Sequence, residues 1–163
     1  MNTKDAIRSS MNMSDTVMKI YLSDLSDADL MTRPSSGSNH LAWQLGHLIS
    51  SEVMLLKSLV PDANVELPAG FAEAHSKEQA GNDDASAFSS KEEYLSLYDK
   101  VRDASRAALE DYPEPDFDSP SAEHFRQNFP TQGDVFLLIA NHPLMHAGQF
   151  AVTRRNLGKP VLI

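Results

Sequence analysis

Four long stretches of this chain carry apolar residues at helical spacing, and none shows the alternation of a half-buried strand, which confines it to an all-α fold. The first runs from about Lys4 to Leu25, with Ala6, Ile7, Met11, Val17, Met18, Tyr21, Leu22 and Leu25 along a rough stripe. Ser26 and Asp29 then match a capping box before Leu30, and the run from Arg33 to Ser38 reads as a loop. The second stretch spans Asn39 to Leu59 and stops before Pro61. The third starts at a capping box, Ser90 to Glu93, and ends at Asp111 ahead of Pro113 and Pro115. The fourth opens at Thr131, with Asp134 in the capping-box position, and ends at Gly158 and Pro160. Between the second and third lies a polar connection, Pro61 to Phe88, too long for a turn between neighbouring helix ends. The expected architecture is a four-helix bundle with a long crossover between helices 2 and 3, formed by one domain over residues 1–163.

Charge and cysteine content narrow the functional classes. Fourteen Lys and Arg against 23 Asp and Glu give a net charge of −9, which disfavours nucleic acid and anionic membrane surfaces as partners. With no cysteine, thiolate zinc sites, iron–sulfur clusters and disulfides are excluded. No apolar leader is visible at the N-terminus and apolar runs are short, so a cytoplasmic location without membrane insertion is expected.

The histidines carry the chemistry. His142 and His146 stand four residues apart on the fourth helix and share a face with Val135, Leu138, Ile139, Gln149 and Phe150. Two imidazoles on an inward face need hydrogen-bond partners or a metal, and spacing leaves both readings open. The segment His142-Pro143-Leu144-Met145-His146 has the ligand spacing of zinc proteases without their glutamate, so it contains no general base of its own. A third ligand has to come from another helix, and His47 is the best placed. Its wheel position, however, lies off the leucine stripe, beside Trp43, Met54 and His40, so either it borders a cleft there or that patch meets another subunit.

Other residues invite simpler readings. Glu52, on the leucine face, is expected at a bundle end reaching solvent; a partner to a metal-bound imidazole or a proton carrier is the alternative. His75 and His124 fall in polar connections and are expected to be exposed, and His40 marks the start of the second helix. Pro143 removes one helical hydrogen bond to Ile139 and should kink the helix between the two histidines. Arg154 and Arg155 complement the dipole at a helix C-terminus; an anion-binding role is the second reading.

Two runs resemble a known family. Asn39-His40-Leu41-Ala42-Trp43-Gln44-Leu45-Gly46-His47-Leu48, followed by Glu52, is similar to the second-helix motif of the DinB-like (YfiT-like) family. The tail His142-x-x-x-His146-Ala147-Gly148-Gln149, followed by Arg154, Arg155 and Leu157-Gly158, is similar to its last-helix motif. The resemblance spans nearly the whole chain. It implies a four-helix bundle, often homodimeric, holding a divalent metal, zinc or nickel foremost, on His47, His142 and His146. Many members carry a further histidine where Met145 stands, which alters the pocket wall. Characterised relatives include transferases that use a low-molecular-weight thiol, bacillithiol or mycothiol, as cosubstrate.

Three neutral imidazoles leave a metal's charge for a further ligand. Water there gives hydrolysis; a thiol held as thiolate gives transfer onto a small electrophilic substrate. The resemblance favours the transferase. A hydrolase and a non-enzymatic or vestigial metal-binding bundle are the alternatives.

Overall fold

The computed structural model describes all 163 residues. Six α-helices form, with no strand: α1 (Thr3–Leu22), α2 (Asp27–Leu30), α3 (Leu41–Leu59), α4 (Phe71–Ala74), α5 (Lys91–Asp111) and α6 (Gln132–Asn156). The four long ones match the four stretches read from the sequence. All three expected capping boxes form, at Ser26/Asp29, Ser90/Glu93 and Thr131/Asp134, each giving two otherwise orphaned backbone N–H groups a partner. A fourth, Asn2/Asp5, starts α1. Helix α3 is capped instead by His40, whose Nδ1 accepts from the Trp43 N–H at 3.0 Å.

Side-chain pairings give the helix directions. Lys4 and Arg8 meet Glu110 while Lys19 meets Asp99, so α1 and α5 are antiparallel. Ser10 bonds Asn141 and the Tyr21 carbonyl accepts from Arg154, so α1 and α6 are parallel. Gln44 pairs with His146, while Leu55 and Leu59 pack in the cluster of Val135 and Ile139, so α3 and α6 are antiparallel. Helices α3 and α5 then run the same way, and residues 60–90 must return the chain along the bundle. The long crossover follows from that directional requirement.

The core divides into two apolar clusters. One gathers Met18, Leu22, Leu45, Tyr94, Tyr98 and Phe150; the other gathers Ile7, Met11, Leu55, Leu109, Phe136 and Ile139. A polar layer centred on Arg102, which is fully buried, joins α1, α3, α5 and α6. All five of its N–H donors are used. Nε donates to Asp15 Oδ1 (2.7 Å), Nη1 to Glu52 Oε2 (3.1 Å) and the Ile139 carbonyl (2.9 Å), and Nη2 to the Met11 carbonyl (3.2 Å) and Ser14 Oγ (2.9 Å). Tyr98 Oη and Arg106 also donate to Asp15.

This layer corrects the expectation for Glu52 and supplies a partner beside Pro143. Glu52 does not reach solvent: it is 4 % exposed, and burial pushes its carboxyl pKa up against the opposing pull of Arg102. Helix α6 continues through Pro143. The Ile139 carbonyl that Pro143 leaves without a helical donor receives Arg102 instead. Arg154 is also more than a dipole partner: it is buried, and it donates to both carboxylate oxygens of Asp24 and to the Tyr21 and Pro160 carbonyls. It thereby ties the C-terminal tail to the end of α1. Arg155 is exposed.

By length and composition α6 is apolar enough to cross a membrane, which the short apolar runs had not suggested. It packs along both α1 and α3 and contributes to both core clusters, so its apolar character belongs to the bundle core.

Candidate metal centre

Antiparallel packing of α3 on α6 brings His47 to the turn that carries His142 and His146. The three rings have centroid separations of 5.3 Å (His47–His142), 5.5 Å (His47–His146) and 5.0 Å (His142–His146). One ring nitrogen from each lies within 4.8 Å of the other two, so the group could hold a metal ion. Two nitrogens on one tetrahedral ion, at Zn–N bonds near 2.0–2.1 Å, stand about 3.4 Å apart. Small side-chain rotations therefore close the site.

The donor set suits a first-row divalent metal. All three imidazoles are half-buried, and burial is the chief cause of a lowered pKa in each. His142 falls to about 4 and His146 to about 3, each lowered further by the neighbouring histidines. Lys77 pushes His47 down in the same sense. The rings are thus neutral at pH 7 and offer lone pairs without first losing a proton.

The surroundings hold the rings in place. Trp43 stacks on His47 with centroids 4.9 Å apart and planes 6° from parallel, and its Nε1 donates to the Ser76 carbonyl in the crossover at 2.9 Å. The second patch on α3 is therefore covered at Trp43 by the crossover, while Met54 stays exposed. His47 lies at that covered edge. On the other side His146 Nδ1 is 2.8 Å from Gln44 Oε1, and Gln44 Nε2 donates to the Asn39 carbonyl at 2.7 Å. Met145, expected on the pocket wall, is 67 % exposed, and Gln149 is exposed rather than inward-facing.

The remaining histidines divide. His124 is exposed, as expected. His75 is not: it is 4 % exposed, its Nδ1 donates to the Phe71 carbonyl at 2.7 Å, and its Nε2 accepts from Tyr94 Oη at 2.7 Å. The ring lies directly over Gly46, where a Cβ would come within 2.0 Å of it. His40 Nε2 donates to the Asn82 carbonyl at 3.0 Å. His40, His75 and Trp43 together fasten the crossover to the start of α3, beside the three-histidine group. Sequence reasoning missed Gln44, His75 and Arg102. Gln44 had one available signal, an amide inside the apolar run from Leu41 to Ile49, where a buried polar group needs partners.

The family comparison agrees with this geometry. A family model described as DinB superfamily matches residues 15–150, most of the chain. The chain belongs to the DinB superfamily. No curated protein matches it. The superfamily is commonly metal-binding, and in this DinB member the matched segment contains all three histidines and Arg102 with its Asp15, Glu52 and Ile139 partners.

Proposed function

We propose that this DinB protein holds a divalent transition metal, zinc or nickel, on His47, His142 and His146 and transfers a low-molecular-weight thiol to a small electrophile. The observation that carries the reading is the convergence of three neutral imidazoles with no carboxylate among them. When bound, the metal would supply a Lewis-acidic position at which a thiol is held deprotonated.

The chain's own residues favour transfer over hydrolysis. Water activation profits from a nearby general base. The carboxylate associated with the α3 motif, Glu52, is engaged by Arg102 and sits in the buried layer. Thiol delivery needs no such base once the thiol is deprotonated. Lys77, whose charge acts on His47 from the crossover, favours an anionic ligand at the same edge. Trp43 covers one face of His47 and limits water there.

Elemental analysis of protein purified without chelator should find close to one metal per chain, and His146→Ala should lose it. Supplied with metal, the native protein should consume bacillithiol, mycothiol or a simpler thiol in the presence of an electrophile, while His146→Ala should not. Metal retention without turnover across a panel of thiols and electrophiles would leave a binding bundle and remove the transferase.

A further inference from the structure

We infer that Gln44 is a positioning residue that sets the tautomer of His146, presenting its Nε2 lone pair to the three-histidine group. The inference rests on the metal reading above for its purpose, but not for its geometry.

Gln44 is 1 % exposed, and its side chain makes two directional contacts. Its Nε2 is 2.7 Å from the Asn39 carbonyl, which can only accept, so that atom must be the NH2 group. The other amide atom, facing His146 Nδ1 at 2.8 Å, is therefore the carbonyl oxygen. A carbonyl can only accept, so His146 Nδ1 carries the proton. A neutral imidazole protonated at Nδ1 has its lone pair at Nε2. Asn39 thus fixes Gln44, Gln44 fixes the proton on His146, and the free nitrogen follows. Free neutral histidine favours the opposite tautomer, so this arrangement is imposed by the fold. The relay starts at the turn where His40 caps α3, so helix initiation and ligand orientation depend on the same few residues.

The same hydrogen bond should strengthen metal binding. A partner on the non-coordinating nitrogen orients the ring and raises its basicity, and loss of such a partner commonly costs about 10- to 100-fold in metal affinity. Glutamate at position 44 would restore the acceptor for His146 while losing the donor to Asn39. Leucine would lose both.

Two measurements on the full chain test this. In metal-free protein at pH 7.5, long-range 1H–15N spectra should show His146 as the Nδ1–H tautomer in the native chain and in Gln44→Glu. In Gln44→Leu the Nε2–H form should predominate. In competition titrations with Zn2+ and a chromophoric chelator, Gln44→Leu should bind roughly 10- to 100-fold more weakly than native. Gln44→Glu should recover most of the affinity. Far-UV circular dichroism and thermal melts establish that each variant is folded, and Gln44→Asn, too short to reach both partners, replaces leucine if that variant is not. An Nε2–H tautomer in the native protein would overturn the inference, as would unchanged Zn2+ affinity in a folded leucine or asparagine variant. Failure of the native chain to bind Zn2+ while the tautomers behave as described would instead sink the metal reading alone.

Discussion

At the scale of single residues, close approach decides what position 46 tolerates. Replacing a helical glycine by alanine ordinarily gains about 1 kcal/mol. Gly148, on α6, has nothing within 4 Å of a built Cβ, so Gly148→Ala should show that gain. At Gly46 the same methyl would sit 2.0 Å from His75 Cδ2, on a ring held at both nitrogens. The ring cannot yield without losing the Phe71 or Tyr94 bond. Overpacking of this kind costs about 1–3 kcal/mol, so Gly46→Ala should be destabilised where Gly148→Ala is stabilised. Urea denaturation of the two variants beside native checks the opposite signs. His75 also marks where sequence reading ran short. Its burial depends on the crossover folding back over α3, and a polar segment such as Phe71 to Asp84 contains no periodicity that announces it. His142 and His146 were legible because a one-turn spacing is local. His47 came from a motif resemblance, since its wheel position pointed away from the leucine stripe.

At the scale of elements, helix ends were legible and the layer joining the helices was not. Capping boxes and prolines act within four residues, so the bounds of α1, α3, α5 and α6 could be placed nearly as found. The Arg102 layer draws Asp15 from α1, Glu52 from α3 and the Ile139 carbonyl from α6, partners 87, 50 and 37 residues away. Two local signs did exist: Arg102 stands four residues after Tyr98 on the apolar face of α5, and Pro143 leaves a buried carbonyl in need of a donor. Arg102→Met should cost about 3–5 kcal/mol at pH 7.5, because it strands buried acidic partners rather than removing a complete set of charges. The deficit should depend on pH. With the guanidinium gone, burial, joined by the charge of Asp15, outweighs the Ser105 hydrogen bond and holds the folded pKa of Glu52 above the unfolded value. The variant then loses stability as pH rises through that folded pKa and regains it as pH falls. Denaturant titrations of native and variant at pH 7.5 and 5.5 should show the gap narrowing at the lower pH. A constant gap would mean that Glu52 is not the group left stranded.

At the scale of the whole molecule, five of the six histidines are held neutral by burial: His40, His47, His75, His142 and His146. Each has a folded pKa below its unfolded value, so between those two values the unfolded chain binds more protons. The metal-free protein should therefore keep its full stability above the ordinary histidine range near 6.5 and lose it progressively as pH falls below. The slope is at most about 1.4 kcal/mol per pH unit for each fully differential histidine, so several acting together can unfold a small bundle within about two units. A metal on His47, His142 and His146 would oppose this, since it binds only the folded chain and needs its ligands neutral. At a free concentration of 100 times its Kd it adds about 2.7 kcal/mol. An exposed histidine cluster would forfeit that increment near pH 6, where protons compete for ordinary imidazoles. Here His142 and His146 resist protonation to about 4 and about 3, so proton competition at those two ligands begins only well below pH 5. Thermal melts with and without saturating Zn2+ at pH 7.5, 6.0 and 5.0 should show a rise in Tm that persists to the lowest of these, while the metal-free curve moves steadily down. His146→Ala should show no rise at any of them. A rise that vanishes by pH 6.0 in the native protein would mean that the ion is not held by this half-buried, neutral set.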